Sequence, residues 1–254
     1  MISRYEVWLN DMALSAVDPS IYITDIKYGP VKREYTTPRL MHRDGVFSGN
    51  PYISESSVTI TFMARKYSTS ERQAVIQGVV AWAAKDGWLR VSDRPEQEIY
   101  VRCTAFPAAE SVRGWTDDIE VEFTAYDFPY WQDRYPQVFE LDDGDSETVN
   151  VISAFPAVVE AEITAGASVT SFTVTAGNTS IALTDLSLSA NDVVLIRYTA
   201  DSHILEIKKG TTSLLDKRTT SSSDDLIMQP GENTVSFIAS ADATCKLSVK
   251  GVTL

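Results

Sequence analysis

The sequence predicts a mainly β fold in two domains, with a single α-helix in the first. Strict alternation of apolar and polar residues is the first observation behind this. SVTITFMAR places Val58, Ile60 and Phe62 on one face and Thr59 and Thr61 on the other, and DDIEVEFTAY sets Ile119, Val121 and Phe123 against Glu120 and Glu122. Period two over such lengths marks half-buried antiparallel strands. The second observation is that one stretch alone carries a helical period. The third is an abrupt change of composition and charge at TAYDFPYWQDRYPQVFELDDGD, residues 124–145.

The N-terminal MISRYEVWLND has no apolar signal core and reads as a first strand, and EIYVRCTAF alternates Ile99, Val101 and Cys103. Between these runs lies the helix, expected over residues 70–86. STSERQAVIQGVVAWAAKDG opens on two overlapping capping boxes, Ser68 with Glu71 and Ser70 with Gln73. Val75, Val79 and Trp82 form its apolar stripe, Lys85 suits the C-terminal dipole and Gly87 suits a C′ position. Gly78 costs about 1 kcal/mol of propensity and permits close packing.

After Pro136 no helical period remains. Short alternating runs (AVVEAEITAG, TSFTVTAGN, SIALTD, DVVLIRYTADSHILEIKKG, NTVSFIASAD, CKLSVKGV) are separated by Gly, Asn, Asp and Ser turns, the spacing of a β-sandwich. KRTTSSSDDL reads as a polar, mobile loop. The expected domains are therefore residues 1–136, a sandwich or barrel-like β domain with the helix, and residues 137–254, a β-sandwich. The stretch between them carries Phe128, Pro129, Tyr130, Trp131 and Pro136. Each proline holds the residue before it extended, so the seam is expected to be stiff, with Tyr130 and Trp131 as apolar packing. An aromatic ligand box is the competing reading.

Of the 254 residues, 44% are hydrophobic, enough for packed cores, and no run of 18 apolar residues exists to cross a membrane. Formal net charge is -13. Residues 1–134 hold 15 Lys and Arg against 19 Asp and Glu, and the remainder 7 against 16. Such a surface repels polyanions and excludes general affinity for nucleic-acid phosphates.

Chemistry-bearing motifs are sparse. MHRDG carries the His-Arg-Asp string of a kinase catalytic loop without the rest of that signature, and Arg43, Asp44 and Gly45 read more simply as a turn. The two histidines, His42 and His203, have no zinc spacing, and His203 reads as a surface residue at a strand start. Cys103 and Cys245 lie in strand patterns and read as buried, unpaired thiols. LDDGDSE offers Asp142, Asp143, Asp145 and Glu147 as hard oxygens but lacks the full calcium-loop frame, so a solvated acidic turn is the better reading. Carbohydrate binding needs exposed aromatic platforms, whereas Phe155, Phe172, Tyr198 and Phe237 all sit in strand-like segments. No catalytic residue, metal site or cofactor is expected.

Taken in order, several stretches resemble the distal tail proteins of siphophages. They are YEVWLND, then TTPRLMHRDGVFSG with its arginine-aspartate-glycine turn, then SSVTITFMAR. The helix with VVAWAAKDGWLRVSDRPEQEIYVRC follows, with its Asp-x-Pro turn. IEVEFTAYDFPYWQD ends in a Pro-Tyr-aromatic signature, and DLIMQPGENTVSF is similar to the family's Leu-x-x-Pro-Gly-x-Asn entry with Leu226 one position displaced. The resemblance implies a homo-hexameric ring, a structural component of the virion tail tip made in the host cytoplasm. It implies as partners the tail tube protein, the tail-tip or baseplate hub protein, the tape-measure protein and receptor-binding proteins, with DNA passing through unbound. It also implies a galectin-like second domain that points outward. A carbohydrate-binding module recognising host wall glycans is the alternative function.

Overall fold

The computed structural model describes residues 5–31, 33–35, 51–66, 68–107 and 118–254. The chain forms two compact units, Met1–Trp131 with Leu254 and Gln132–Thr253. In the first, the strands are β1 (Val7–Leu9), β2 (Met12–Ala13), β3 (Ile21–Tyr28), β4 (Arg33–Tyr35), β5 (Pro51–Ile53) and β6 (Ser56–Ala64). Helix α1 (Thr69–Ala83) follows, then β7 (Gly87–Val91), β8 (Gln97–Ala105), β9 (Ile119–Ala125) and β10 (Trp131–Asp133), whose last two residues enter the second unit. The protein is thus mainly β, antiparallel, with one α-helix among the described residues.

The main sheet of the first unit runs β2-β1-β7-β8-β9-β6-β3. Alternation sets its faces as expected. On β6 and β9, Val58 pairs with Phe123, Ile60 with Val121 and Phe62 with Ile119, all toward the core, while Ser57, Thr59 and Thr61 pair with Thr124, Glu122 and Glu120 on the other face. Helix α1 covers the core face with Val75, Val79, Trp82 and Ala83. The Trp82 ring meets Phe123 edge-on at 5.8 Å, and its indole N–H donates to the Met12 carbonyl at 2.9 Å. Gly78 is small for a reason: a Cβ there would lie 2.8 Å from Val17 Cγ1.

The helix starts as its capping box directs, with Ser68 and Glu71 bonded reciprocally. Ser70, the alternative cap, lies inside it. Its C-terminus falls at Ala83, three residues short of the expected 70–86. The reason is competition from the sheet: Gly87 is the first residue of β7, paired with Val101, and is no cap. A Cβ on Gly87 would lie 2.0 Å from Asn10 Oδ1, so the position demands close backbone approach.

The second unit contains β11 (Gln137–Asp142), β12 (Ser146–Val151), β13 (Ala157–Ala165), β14 (Phe172–Ala176), β15 (Thr179–Leu183) and β16 (Val193–Tyr198). It continues with β17 (Leu205–Lys209), β18 (Thr212–Ser213), β19 (Ile227–Met228), β20 (Gly231–Ala239), β21 (Ala243–Val249) and β22 (Val252–Thr253). Two antiparallel sheets, β11-β21-β13-β16-β17-β18 and β12-β20-β14-β15, enclose one core built on Val159, Ile163, Val174, Ile196, Phe237 and Leu247. The Pro-Gly-x-Asn entry has a physical basis. Gly231 takes φ +91° and the buried Asn233 amide closes the turn, accepting from Gln229 N–H at 3.1 Å and donating to the Gln229 and Gly231 carbonyls at 2.7 and 2.9 Å.

Two segments differ from expectation. The acidic LDDGDSE turn joins two strands, β11 and β12, that carry too few apolar residues to show a clear alternation. Its carboxylates are engaged by backbone: Asp145 accepts from Asp142 N–H at 2.9 Å and Asp143 from Ala239 N–H at 2.7 Å. The polar KRTTSSSDDL is a strap laid along β15. Thr219 N–H reaches the Ala182 carbonyl at 3.0 Å and Ser223 N–H the Ser180 carbonyl at 2.8 Å. In return the Ala182 and Ser180 amides donate to the Ser222 and Ser223 hydroxyls at 2.9 and 3.0 Å. The serine side chains thus supply acceptors that a regular edge strand would supply from its backbone. Replacing both, Ser222→Ala with Ser223→Ala, is expected to cost about 1–2 kcal/mol and to speed amide exchange at Ser180 and Ala182, read by hydrogen-exchange mass spectrometry. Unchanged protection at both amides would show that the strap is not held this way.

Candidate functional site

The stretch at residues 126–136 divides into an inward and an outward part. Trp131 is buried to 2% exposure in the core of the first unit. Tyr28, at the end of β3, meets its ring edge-on at 5.8 Å, and the Arg94 guanidinium lies 5.0 Å from its centroid and 4.7 Å from that of Tyr28. Tyr28 Oη donates to the Asp93 carboxylate, with the two oxygens at 2.6 and 2.7 Å, and Arg94 Nη1 donates to the Leu254 carbonyl at 3.0 Å. Burial, reinforced by the facing Asp93 carboxylate, pushes the Tyr28 hydroxyl well above its ordinary value, so it stays a proton donor. The arginine between two aromatic faces is worth about 0.5–2 kcal/mol per contact.

Phe128 and Tyr130 form a second, smaller group. Their rings lie 5.0 Å apart across buried Pro129, and the Tyr130 N–H donates to the Phe128 carbonyl at 2.9 Å. Burial pushes the Tyr130 hydroxyl up. Tyr126, Tyr135 and Pro136 are exposed, with Arg134 over the Tyr135 ring at 5.6 Å. The stretch is therefore not one aromatic box. Arg43, Asp44 and Gly45 lie outside the described residues. Sequence reading missed Tyr28, Asp93 and Arg94. Their signal was the Ser-Asp-Arg-Pro turn at residues 92–95, whose Arg94 N–H bonds the Val91 carbonyl at 3.1 Å and so aims the side chain.

In the second unit the histidine corrects the sequence reading. His203 is half-buried, held at φ +52° and stacked on Tyr198 at 4.9 Å. Burial pulls its pKa down to about 4. Tyr198 is tied in turn, accepting from the Leu226 N–H at 2.8 Å, and burial pushes its hydroxyl up to about 12. Phe172 and Phe237 are core residues. Cys245 faces the core, its thiol pushed up to about 12 by burial, while Cys103 is only partly buried beside the irregularity between Cys103 and Ala105. Among the described residues no group of three or more His, Cys, Asp or Glu is placed to hold a metal ion.

No family model matches the sequence, and no curated protein matches it by sequence either. Similarity appears at the level of structure. The SPP1 Dit protein, described as a paradigm of the hub adsorption apparatus in phages infecting Gram-positive bacteria, superposes with a TM-score of 0.71 at 10% identity, over 98% of this chain and 99% of that one. The chain has the fold of a phage distal-tail hub protein. A chain of the phage P2 baseplate, in its activated conformation with Ca, is similar with a TM-score of 0.54 at 11% identity, over 99% of this chain and 98% of that one. The hub fold thus spans both units, from the helix-bearing sheet to the sandwich.

Trp131→Ala is expected to destabilise the first unit by about 3–5 kcal/mol, because it deletes a buried ring and leaves Tyr28 and Arg94 without their stacking partner. Chemical unfolding monitored by circular dichroism measures this, and an unchanged midpoint would refute it. His203 gives a pH effect. Its unfolded value of 6.5 lies above the folded value of about 4, so the unfolded chain takes up the proton first as pH falls. Between pH 7 and pH 5 the wild type should lose about 1 kcal/mol more than His203→Asn, after allowance for partial exposure. Equal losses in the two proteins would show that His203 is not the cause.

Proposed function

We propose that the protein is a structural hub of a bacteriophage tail tip. In this reading it is a homo-hexameric ring that joins the tail tube protein to the tip or baseplate hub protein. The ring surrounds the channel through which the tape-measure protein and then DNA leave, and the second unit projects outward to carry receptor-binding proteins. The observation that carries the reading is the whole-chain likeness to the SPP1 hub protein, which spans both units without leaving a domain unmatched on either side. The ordered motifs of the sequence support it independently.

Physical chemistry agrees. A net charge of -13 keeps phosphates from adhering, which suits a conduit through which DNA passes unbound. The tyrosine, histidine and cysteine whose proton affinities move furthest within the ordinary range are Tyr198, His203 and Cys245; burial is the first cause for each. No nucleophile–base pair is built from them, so the role is structural and not enzymatic.

Negative-stain electron micrographs of the purified protein, alone and mixed with the tail tube or tip protein of the same phage, are expected to show six-fold rings. A protein that stays monomeric at high concentration and rings up with neither partner would overturn the reading.

A further inference from the structure

The two faces of the main sheet of the first unit differ. One is covered by α1. The other is uncovered by any helix among the described residues, and its composition changes along the sheet. On β1, β7 and β8 it carries aromatics and arginines: Trp8 pairs across the ladder with Arg90, and Trp88 with Tyr100. The Arg90 guanidinium lies 4.7 Å from the Trp8 ring centroid, and Trp88 and Tyr100 meet edge-on at 5.4 Å. Arg102 follows on β8, opposite Thr124. Farther along, on β9, β6 and β3, the same face turns to hydroxyls and carboxylates. Glu122 pairs with Thr59 and Glu120 with Thr61, and Asp25 lies opposite Thr61 from β3.

Tryptophan, tyrosine and arginine together are the residue types that dominate protein–protein contact energies. A solvated sheet face needs none of them, as the threonine half shows. On a chain of net charge -13 a cluster of two arginines among aromatic rings stands out, and the adjoining carboxylate stretch is complementary to it. Both arginines are held in the free chain by exposed carboxylates, Arg90 with Asp11 at 3.4 Å and Arg102 with Asp86 and Asp127 at 3.3 and 3.2 Å. Exposed pairs of this kind are worth little and exchange readily.

We propose that the aromatic–arginine half of this face docks against the carboxylate half of the same face on a second copy of the chain. The contact is head-to-tail, since each copy presents both halves, and such contacts close into rings. The inference rests on the hub reading in that it assigns the contact between copies to particular residues.

Charge reversal tests it. Arg102→Glu makes both halves negative, and Glu120→Arg leaves both positive. Each variant alone should therefore self-associate at least tenfold more weakly than wild type in a concentration series followed by native mass spectrometry. An equimolar mixture should recover the wild-type association, because every contact then pairs opposite charges. Trp88→Ala should weaken association without gaining from the mixture. Thermal melting checks that each variant is folded. If wild type self-associates while both charge variants match it, or if the mixture fails to recover, the docking face is wrong although the hub reading stands. If wild type does not self-associate at any concentration, the docking proposal falls, and binding to the tube and tip proteins decides the hub reading separately.

Discussion

An antiparallel β chain depends on what its edge strands do with their unpaired N–H and C=O groups, and most of the unusual local chemistry here answers that demand. The edge of β15 is covered by a strap whose serine hydroxyls stand in for a neighbouring strand. At the other end of the molecule's sequence, β3 is the last strand on the ladder of the main sheet, and it is interrupted where its register shifts between Ile23 and Asp25. The Asp25 carboxylate then takes the Ile26 N–H at 3.0 Å, and the Thr24 hydroxyl donates to the Thr61 carbonyl at 3.1 Å. The opposite end of that sheet is β2, only two residues long, with its Met12 carbonyl bonded by the Trp82 indole. Edges blunted in this way make poor templates for adding another chain by backbone pairing. Association is left to side chains on a sheet face, which is where Trp8, Trp88 and Arg90 lie.

The same constraint explains the distribution of rigid and exposed aromatics. Each unit has a separate core, and residues 126–136 supply both buried and exposed rings. Trp131 belongs wholly to the first core and is gripped through Arg94 and Tyr28, both from turns or strand ends remote in sequence. The prolines then limit the backbone on either side. A chain leaving one unit from a buried tryptophan starts from a fixed point, which is what a part that must present a second unit in a defined direction requires.

Much of this was legible from residue order, and the exceptions share a cause. Strands β6 and β9 announce themselves because one face is apolar and the other is Thr or Glu. The helix start is legible because Ser68 and Glu71 satisfy each other locally. Its end is not, because Gly87 is claimed by β1 and β8, partners distant in sequence. Strands β11 and β12 were hidden because Glu140, Asp142 and Glu147 occupy exposed positions and dilute the alternation. The strap read as a loop because hydroxyls that pair with a sheet edge look the same as hydroxyls that face water. Of the candidate site, burial of Trp131 agreed with the reading of that residue as packing, but the Tyr28–Asp93–Arg94 grip joins residues that only the fold brings together. His203 shows the same limit: its position after a turn suggested the surface, and the stack on Tyr198 that half-buries it is a tertiary contact.

Net charge and local charge pull in different directions on a protein of this kind. Two copies of a chain at -13 repel one another at long range, but that repulsion is screened beyond about 8–10 Å at physiological salt. Within contact distance the outcome is set by which groups actually meet. On the face of β1, β7 and β8 the arginines lie against indole and phenol rings, which lower the cost of bringing a guanidinium out of water and leave its N–H groups directed outward. A carboxylate arriving there meets a pre-positioned donor, whereas anywhere else on this acidic surface it meets repulsion. Added salt therefore acts twice with opposite sign. It relieves the general repulsion between copies and it weakens the arginine–carboxylate contacts. Association carried mainly by the rings should survive moderate salt, and association carried mainly by the ion pairs should fade with it. The aromatic content of the face, three rings to two guanidiniums, favours the first behaviour, with the charges setting the register of approach more than its strength.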